Sequence, residues 1–69
     1  MTEAQLNTLP ARLRAARAAL DLTQMDVAAR AGIGQTHYSA IERGAQAPAP
    51  DTLRRLANAL GTTVGALVD

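Results

Sequence analysis

The sequence predicts an all-α fold, a compact bundle of five short helices. Apolar residues recur three and four positions apart in several segments, which is the spacing of one helical face, and no segment alternates like a half-buried strand. Glycines and prolines separate these segments, as expected at turns between helices. Residues 1–8 lack the helical period, so we predict a flexible N-terminal arm there and one folded domain over residues 9–69.

The first helix is predicted over about residues 9–20. Thr8 or Asn7 is suited to cap it, and Pro10 fits its first turn because a proline there loses no helical hydrogen bond. Its apolar positions are Leu9, Leu13, Ala16 and Leu20.

The second helix is predicted over about residues 24–31. Thr23 is a good N-cap, and Asp26 stands three residues later, at the place of the acid in a capping box. Gly32 follows where a left-handed residue is expected to end the helix. The apolar face consists of Val27, Ala28 and Ala31.

The third helix is predicted to begin near Gln35 and to end before Gly44. Tyr38 and Ile41 lie three apart on its apolar side. The segment AQAPAP that follows is predicted to be a loop, because its prolines forbid a helix through it.

Two further helices complete the predicted bundle. Pro50 suits the first position of the fourth helix, Asp51 suits its positive N-terminal turn, and Gly61 ends it. Thr63 is suited to cap a short fifth helix. The apolar positions of these two helices are Leu53, Leu56, Ala57 and Leu60, then Val64, Leu67 and Val68. The last set either closes the core over the first and fourth helices or forms a contact between two copies of the chain.

Composition excludes several classes of protein. There is no Cys and a single His, so we expect no disulfide, no metal site and no cofactor. There is neither an apolar run long enough to cross a membrane nor a signal peptide, which predicts a soluble, cytoplasmic protein. The net charge of +1 is weak support for nucleic-acid binding. All seven basic residues are Arg, which suits forked phosphate contacts but would also follow from a genomic codon bias.

The segment AGIGQTHYSAIERG, residues 31–44, contains the single histidine, the single aromatic residue and three of the five glycines. It is not a phosphate-binding glycine loop, because such a loop follows a strand and a helix is predicted before Gly32. A catalytic triad of His37, Ser39 and Glu42 is not supported either, because residues two apart on a helix do not face each other. We therefore expect no catalytic residues and no enzymatic activity.

The spacing of this segment fits a helix-turn-helix, with the turn at Gly32-Ile33-Gly34. Ile33, Tyr38 and Ile41 would fill the angle between the two helices. The outer face of the third helix would carry Gln35, Thr36, His37, Ser39 and Ala40. Such a short, uncharged polar face suits hydrogen bonding to base edges in a major groove, but the residues alone would equally describe an ordinary surface helix.

The segment LRAARAALDLTQMDVAARAGIGQTHYSAIERG, followed by PDTLRRLANALG, resembles the phage Cro/repressor-type helix-turn-helix family, also called XRE-like. The matching features are Leu13 and Arg17, LTQ at the second helix, the VAARAGI core, IERG at the end of the third helix, Pro48, and TLRRLANALGTTVGAL. The resemblance covers about residues 9–68 and implies a lambda repressor-like DNA-binding domain.

The resemblance also implies roles for individual residues. Gln24 would contact a DNA phosphate and brace Gln35, and Arg43 would reach the DNA backbone. Arg17 and Glu42 would form an inward, structural salt bridge between the first and third helices. The base-reading positions would be Gln35, Thr36 and Ser39, with His37 and Ala40 at the edges of that surface. The residues alone leave Gln24 as a plain helix-start residue and Arg43 as a favourable charge near a helix C-terminus.

The chain departs from the family pattern at four positions. Gly34 replaces the Ser or Thr that usually caps the third helix, and Ala49 replaces the usual Ser cap of the fourth. Tyr38 stands where an aliphatic residue is usual and Ala31 where Leu is usual, so the larger ring is expected to occupy the volume left by the smaller side chain.

These observations together predict a sequence-specific transcriptional regulator that binds double-stranded DNA without chemistry or a cofactor. A domain this small usually binds as a homodimer on a pseudo-palindromic operator, with recognition helices about 34 Å apart. Two alternatives stay open. One is an antitoxin or restriction-modification controller of the same fold, which also binds a protein partner. The other is a protein-interaction helical module that has lost DNA binding, which the low net charge favours.

Overall fold

A computed structural model describes residues 8–68 of the chain, and within them it is entirely helical. The helices are α1 (Leu9–Ala19), α2 (Gln24–Ala31), α3 (Gln35–Glu42), α4 (Pro50–Ala59) and α5 (Val64–Val68). The all-α architecture predicted from the sequence is confirmed, and the helix bounds agree closely with the expected ones. None of the helices in residues 8–68 has the length and apolar character needed to cross a bilayer.

Local signals in the sequence set the helix ends. Thr23 and Asp26 form the predicted capping box, with Asp26 N–H donating to Thr23 Oγ1 at 3.0 Å and Thr23 N–H donating to the Asp26 carboxylate at 2.9 Å. Thr63 Oγ1 accepts from Ala66 N–H at 3.1 Å. Thr8 Oγ1 accepts from Ala11 N–H at 3.3 Å and caps α1. The rest of the predicted arm, and Asp69, lie outside the described residues.

The core lies between all five helices. α2 packs against α3 and α4, α1 packs against α3, and α5 packs against α1 and α4. Tyr38 is the largest fully buried side chain, and it belongs to the same buried cluster as the small Ala31. The buried apolar cluster consists of Leu13, Val27, Ala28, Ala31, Tyr38, Ile41, Leu56, Ala57, Leu60 and Leu67.

One apolar residue lies outside the face predicted for it, and α5 divides its apolar residues between the core and the surface. Leu20 was expected on the inner side of the first helix, but that expectation is wrong, because α1 ends at Ala19 and the Leu20 side chain is 47% exposed. In α5, Leu67 is buried in the core whereas Val68 is 50% exposed. Leu67 therefore closes the core, and within α5 it is Val68 that keeps a large apolar side chain exposed.

Candidate nucleic-acid interface

The turn between α2 and α3 reverses the chain sharply at Gly32. This glycine has φ = 72°, a left-handed conformation in which a residue with a Cβ is strained. The N–H of Ile33 donates to Ala28 O at 3.0 Å, and the N–H of Gly32 donates to Ala29 O at 3.2 Å, which satisfies two of the four carbonyls in the last turn of α2. Ile33 is partly buried against the core. The geometry of the turn thus fixes the start of α3 relative to α2.

The two sides of α3 have opposite character. The inner side carries Tyr38, Ile41 and Glu42, all at most 2% exposed. On the outer side, Gln35 and Thr36 are exposed, and the three remaining residues of the predicted base-reading set are partly buried: His37, Ser39 and Ala40. The outer face therefore offers hydroxyl, amide and imidazole groups but no formally charged carboxylate or guanidinium.

Gln24, the first residue of α2, lies beside the start of α3. Gln24 and Gln35 line the same open hollow in the surface, together with Arg17, Thr23 and Met25. The Nε2 group of Gln24 donates to Glu42 Oε1 at 3.3 Å, a contact that the sequence did not suggest. The bracing of Gln35 by Gln24 stays a prediction.

Arg17 and Glu42 are joined in a two-pronged ion pair between α1 and α3. Arg17 Nε donates to Glu42 Oε2 at 2.7 Å, and Arg17 Nη2 donates to Glu42 Oε1 at 3.0 Å. The third guanidinium nitrogen, Nη1, donates to Leu22 O at 3.1 Å. The Glu42 side chain is 2% exposed and that of Arg17 is 23% exposed. Because this ion pair joins α1 to the last residue of α3, it holds α3 in place from its inner side.

The ion pair dominates the local electrostatics. Burial by itself would raise the pKa of the Glu42 carboxyl, but the hydrogen bonds from Arg17 and Gln24 act against it and hold the pKa below its ordinary value. The same hydrogen bond to Glu42 raises the pKa of Arg17. Burial also raises the pKa of Tyr38, whose buried hydroxyl interacts with the Glu42 carboxylate.

Two arginines meet the C-terminal end of α3. Arg43 directly follows the helix, and its side chain is exposed. Arg14, on α1, was not singled out by the sequence, yet its Nη1 donates to the main-chain carbonyl of Glu42 at 2.7 Å. No local signal marks Arg14, because the contact joins residues that are 28 positions apart and depends on how α1 and α3 approach each other.

The sequence matches a known protein family over most of its length. A family model described as "Helix-turn-helix" matches residues 13–67, which is most of the chain. The chain belongs to the XRE-type helix-turn-helix family. The resemblance identified from the sequence is thereby confirmed, and α2, its turn and α3 are the helix-turn-helix of this domain. Within this motif α3 is the second helix.

Two curated relatives place the helix-turn-helix domain among regulators. The chain is 45% identical over 49 residues to the uncharacterized HTH-type transcriptional regulator y4dL of Sinorhizobium fredii, which covers 71% of the chain and 25% of that protein. It is 37% identical over 57 residues to the cryptic phage CTXphi transcriptional repressor RstR of Vibrio cholerae, which covers 83% of the chain and 51% of that protein. The chain thus spans about a quarter and about half of the length of these two relatives.

Proposed function

We propose that this helix-turn-helix domain is a sequence-specific transcriptional regulator that binds double-stranded DNA through α3 in the major groove. It acts as a homodimer in the cytoplasm, on a pseudo-palindromic operator, and needs neither a catalytic step nor a cofactor. The names of the two relatives, a transcriptional regulator and a transcriptional repressor, support a role in transcription.

The observation that carries the proposal is the exposed, uncharged polar face of α3. An ordinary surface helix is covered by long charged side chains, whereas this face offers Gln35 and Thr36 at its N-terminal end. Glutamine pairs in a bidentate way with adenine, and hydroxyl groups bond to several base edges. The N-terminal residues of a recognition helix are the ones that meet bases. Gln35, Thr36 and Ser39 would therefore read the sequence, with His37 and Ala40 at the edges.

Phosphate contacts would flank this reading face at both ends. Gln24 uses its Nε2 group on Glu42, and this group has a second hydrogen that a phosphate oxygen could accept. Arg43, exposed at the other end of α3, suits a phosphate through its forked guanidinium. Such contacts fix the register of the protein on the duplex and carry no sequence information themselves.

Two substitutions separate reading from positioning. Gln35→Ala should lose affinity for the best DNA site, much less for random DNA, and relax the base preference at one position of each half-site by about 1–3 kcal/mol. Arg43→Ala should weaken binding to both duplexes by similar factors. It should also lower the slope of the logarithm of the binding constant against the logarithm of the salt concentration by as much as about one unit per protomer. The measurements are titrations at several salt concentrations, on a site selected from a random DNA pool and on its scrambled version.

Three results of these titrations would contradict the proposal. If Gln35→Ala weakens both duplexes equally while Arg43→Ala alters base preference, the orientation of α3 is reversed. If neither substitution matters although the wild-type chain binds, α3 is not the recognition helix. If the wild-type chain shifts no duplex at low salt, the domain is a protein-interaction module instead.

A further inference from the structure

The C-terminal end of α3 has one carbonyl that the following turn does not satisfy. Gly44, with φ = 75°, closes the helix in a left-handed turn. The hydrogen bonds of that turn run from Gly44 N–H to Ile41 O at 3.1 Å and from Ala45 N–H to Ala40 O at 2.9 Å. The remaining carbonyl, that of Glu42, accepts from Arg14 Nη1 at 2.7 Å. Arg14 thus supplies the donor that the helix end lacks.

This contact leaves Arg14 only partly occupied. A guanidinium has N–H groups on three nitrogens. Of the three in Arg14, only Nη1 forms a hydrogen bond to another residue of the range 8–68. Arg17, one turn further along α1, differs because all three of its nitrogens donate within the domain. The Arg14 side chain is exposed, so its remaining donors face solvent.

The anchored end of Arg14 lies next to the main chain of Arg43. The carbonyl that holds Arg14 belongs to the peptide bond whose nitrogen is that of Arg43. The acidic side chain of Glu42, the residue whose carbonyl holds Arg14, is buried and paired with Arg17. Two exposed arginine side chains are therefore found at the C-terminal end of α3, where the carboxylate of Glu42 is already paired.

We propose that Arg14 and Arg43 together bind a single phosphate of the DNA backbone at the C-terminal end of α3. An anion at this end of a helix would normally meet the negative pole of the helix dipole, and Arg14 offsets that pole by binding its carbonyl. The anchor also holds the guanidinium in place before DNA arrives, so that less side-chain freedom is lost on binding. The inference rests on the proposed DNA-binding function and adds a residue of α1 to it.

The test is a set of salt titrations of the chain on a random-sequence duplex, which needs no knowledge of the operator. Arg14→Ala and Arg14→Gln should each weaken binding by about tenfold at low salt, because a charged hydrogen bond to phosphate is lost. Arg14→Lys should stay close to the wild type. The matched control is Arg30→Ala, which removes the same charge from the exposed last turn of α2 and should have a smaller effect. Urea unfolding of each variant checks that the fold is retained.

The double variant Arg14→Ala/Arg43→Ala decides whether the phosphate is shared. In a plot of the logarithm of the binding constant against the logarithm of the salt concentration, the slope should be smaller by about 0.9 per protomer, the value for one phosphate. Each single variant should reduce the slope by that amount or by less. A loss of about 1.8 would mean two separate phosphates and would overturn the shared site. Equal effects of Arg14→Ala and Arg30→Ala on binding would also overturn it, because Arg14 would then contribute only through the general charge of the domain. If the wild-type chain binds no duplex, the DNA-binding function itself is wrong and the phosphate site is wrong with it.

Discussion

Glu42 is the one charged residue that is buried within residues 8–68. Its carboxylate accepts from Arg17 and Gln24, and its main-chain carbonyl accepts from Arg14. A buried carboxylate without partners would lower the stability of the fold, so these hydrogen bonds are what allow a glutamate at this position. Because they come from α1 and α2, Glu42 ties α3 to both of the helices before it.

Loss of this side chain should be strongly destabilising. Glu42→Ala leaves Arg17 without its partner, and we expect a loss of about 2–4 kcal/mol in the free energy of unfolding, somewhat less than for a fully buried pair because Arg17 is 23% exposed. Equilibrium urea unfolding measures it. Asp51→Ala is the control, since it removes exposed ion pairs with Arg54 and Arg55 and a favourable charge in the first turn of α4, and should cost about 1 kcal/mol. Similar losses in the two variants would refute a structural role for the buried pair.

The same residue predicts a dependence on pH. Because the folded state holds the pKa of Glu42 below its ordinary value, this group stabilises the fold fully above the unfolded pKa of about 4.3, and the stabilisation disappears as the pH falls through the folded pKa. The wild type should therefore lose stability in acid. Glu42→Gln should be less stable than the wild type at neutral pH but lose less on acidification.

Urea midpoints between pH 7 and pH 3 would show this difference. Asp26→Asn is the companion variant, because the hydrogen bonds from Thr23 hold the pKa of Asp26 below its ordinary value too and account for part of the acid response. Parallel curves for the wild type and Glu42→Gln would contradict the assignment.

At the scale of helices, local chemistry explains what the sequence predicted well. Thr23, Gly32 and Pro50 define helix ends through hydrogen bonds and backbone angles within a few residues, so their effect is visible without the fold. The contacts of Arg14 and Gln24 with Glu42 were missed because each depends on the approach of two helices. Leu20 was misplaced since the period of α1 gives no sign of where the helix stops.

The N-terminus of α3 should respond to a better cap. Gly34 has φ = −72° and ψ = 149°, and a Cβ added there would meet nothing within 4 Å. Gly34→Ser should therefore raise the free energy of unfolding by about 0.5–1 kcal/mol, because Ser supplies an acceptor for α3 and restricts the unfolded chain. Gly32→Ala is the opposite case, since at φ = 72° it should cost about 1–2 kcal/mol. If thermal or urea unfolding showed Gly34→Ser to be less stable than the wild type, the prediction that a serine caps α3 at this position would be wrong.

At the scale of the whole molecule, the exposed side chain of Val68 bears on the proposed homodimer. Leu67 is committed to the core, so a contact through α5 would depend on Val68. Val68→Glu should weaken self-association measured by light scattering, whereas Leu20→Glu, at a comparably exposed apolar position, should leave it unchanged. DNA sites selected by the wild type should be pseudo-palindromic, with half-site centres about ten base pairs apart. A single protomer on an asymmetric site would exclude the dimer.

The short α5 has a consequence for the motions of the domain. Five residues are too few for a helix that is stable alone, and α5 is held by one buried side chain, Leu67, with Val64 partly buried beside it. Its detachment should be a local opening of low free energy that leaves α2 and α3 folded. Amide hydrogen exchange should then be fast in α5 and slowest in α2 and α3. If Val68 joins two copies, protection of the α5 amides should rise with protein concentration, while that of α2 should not.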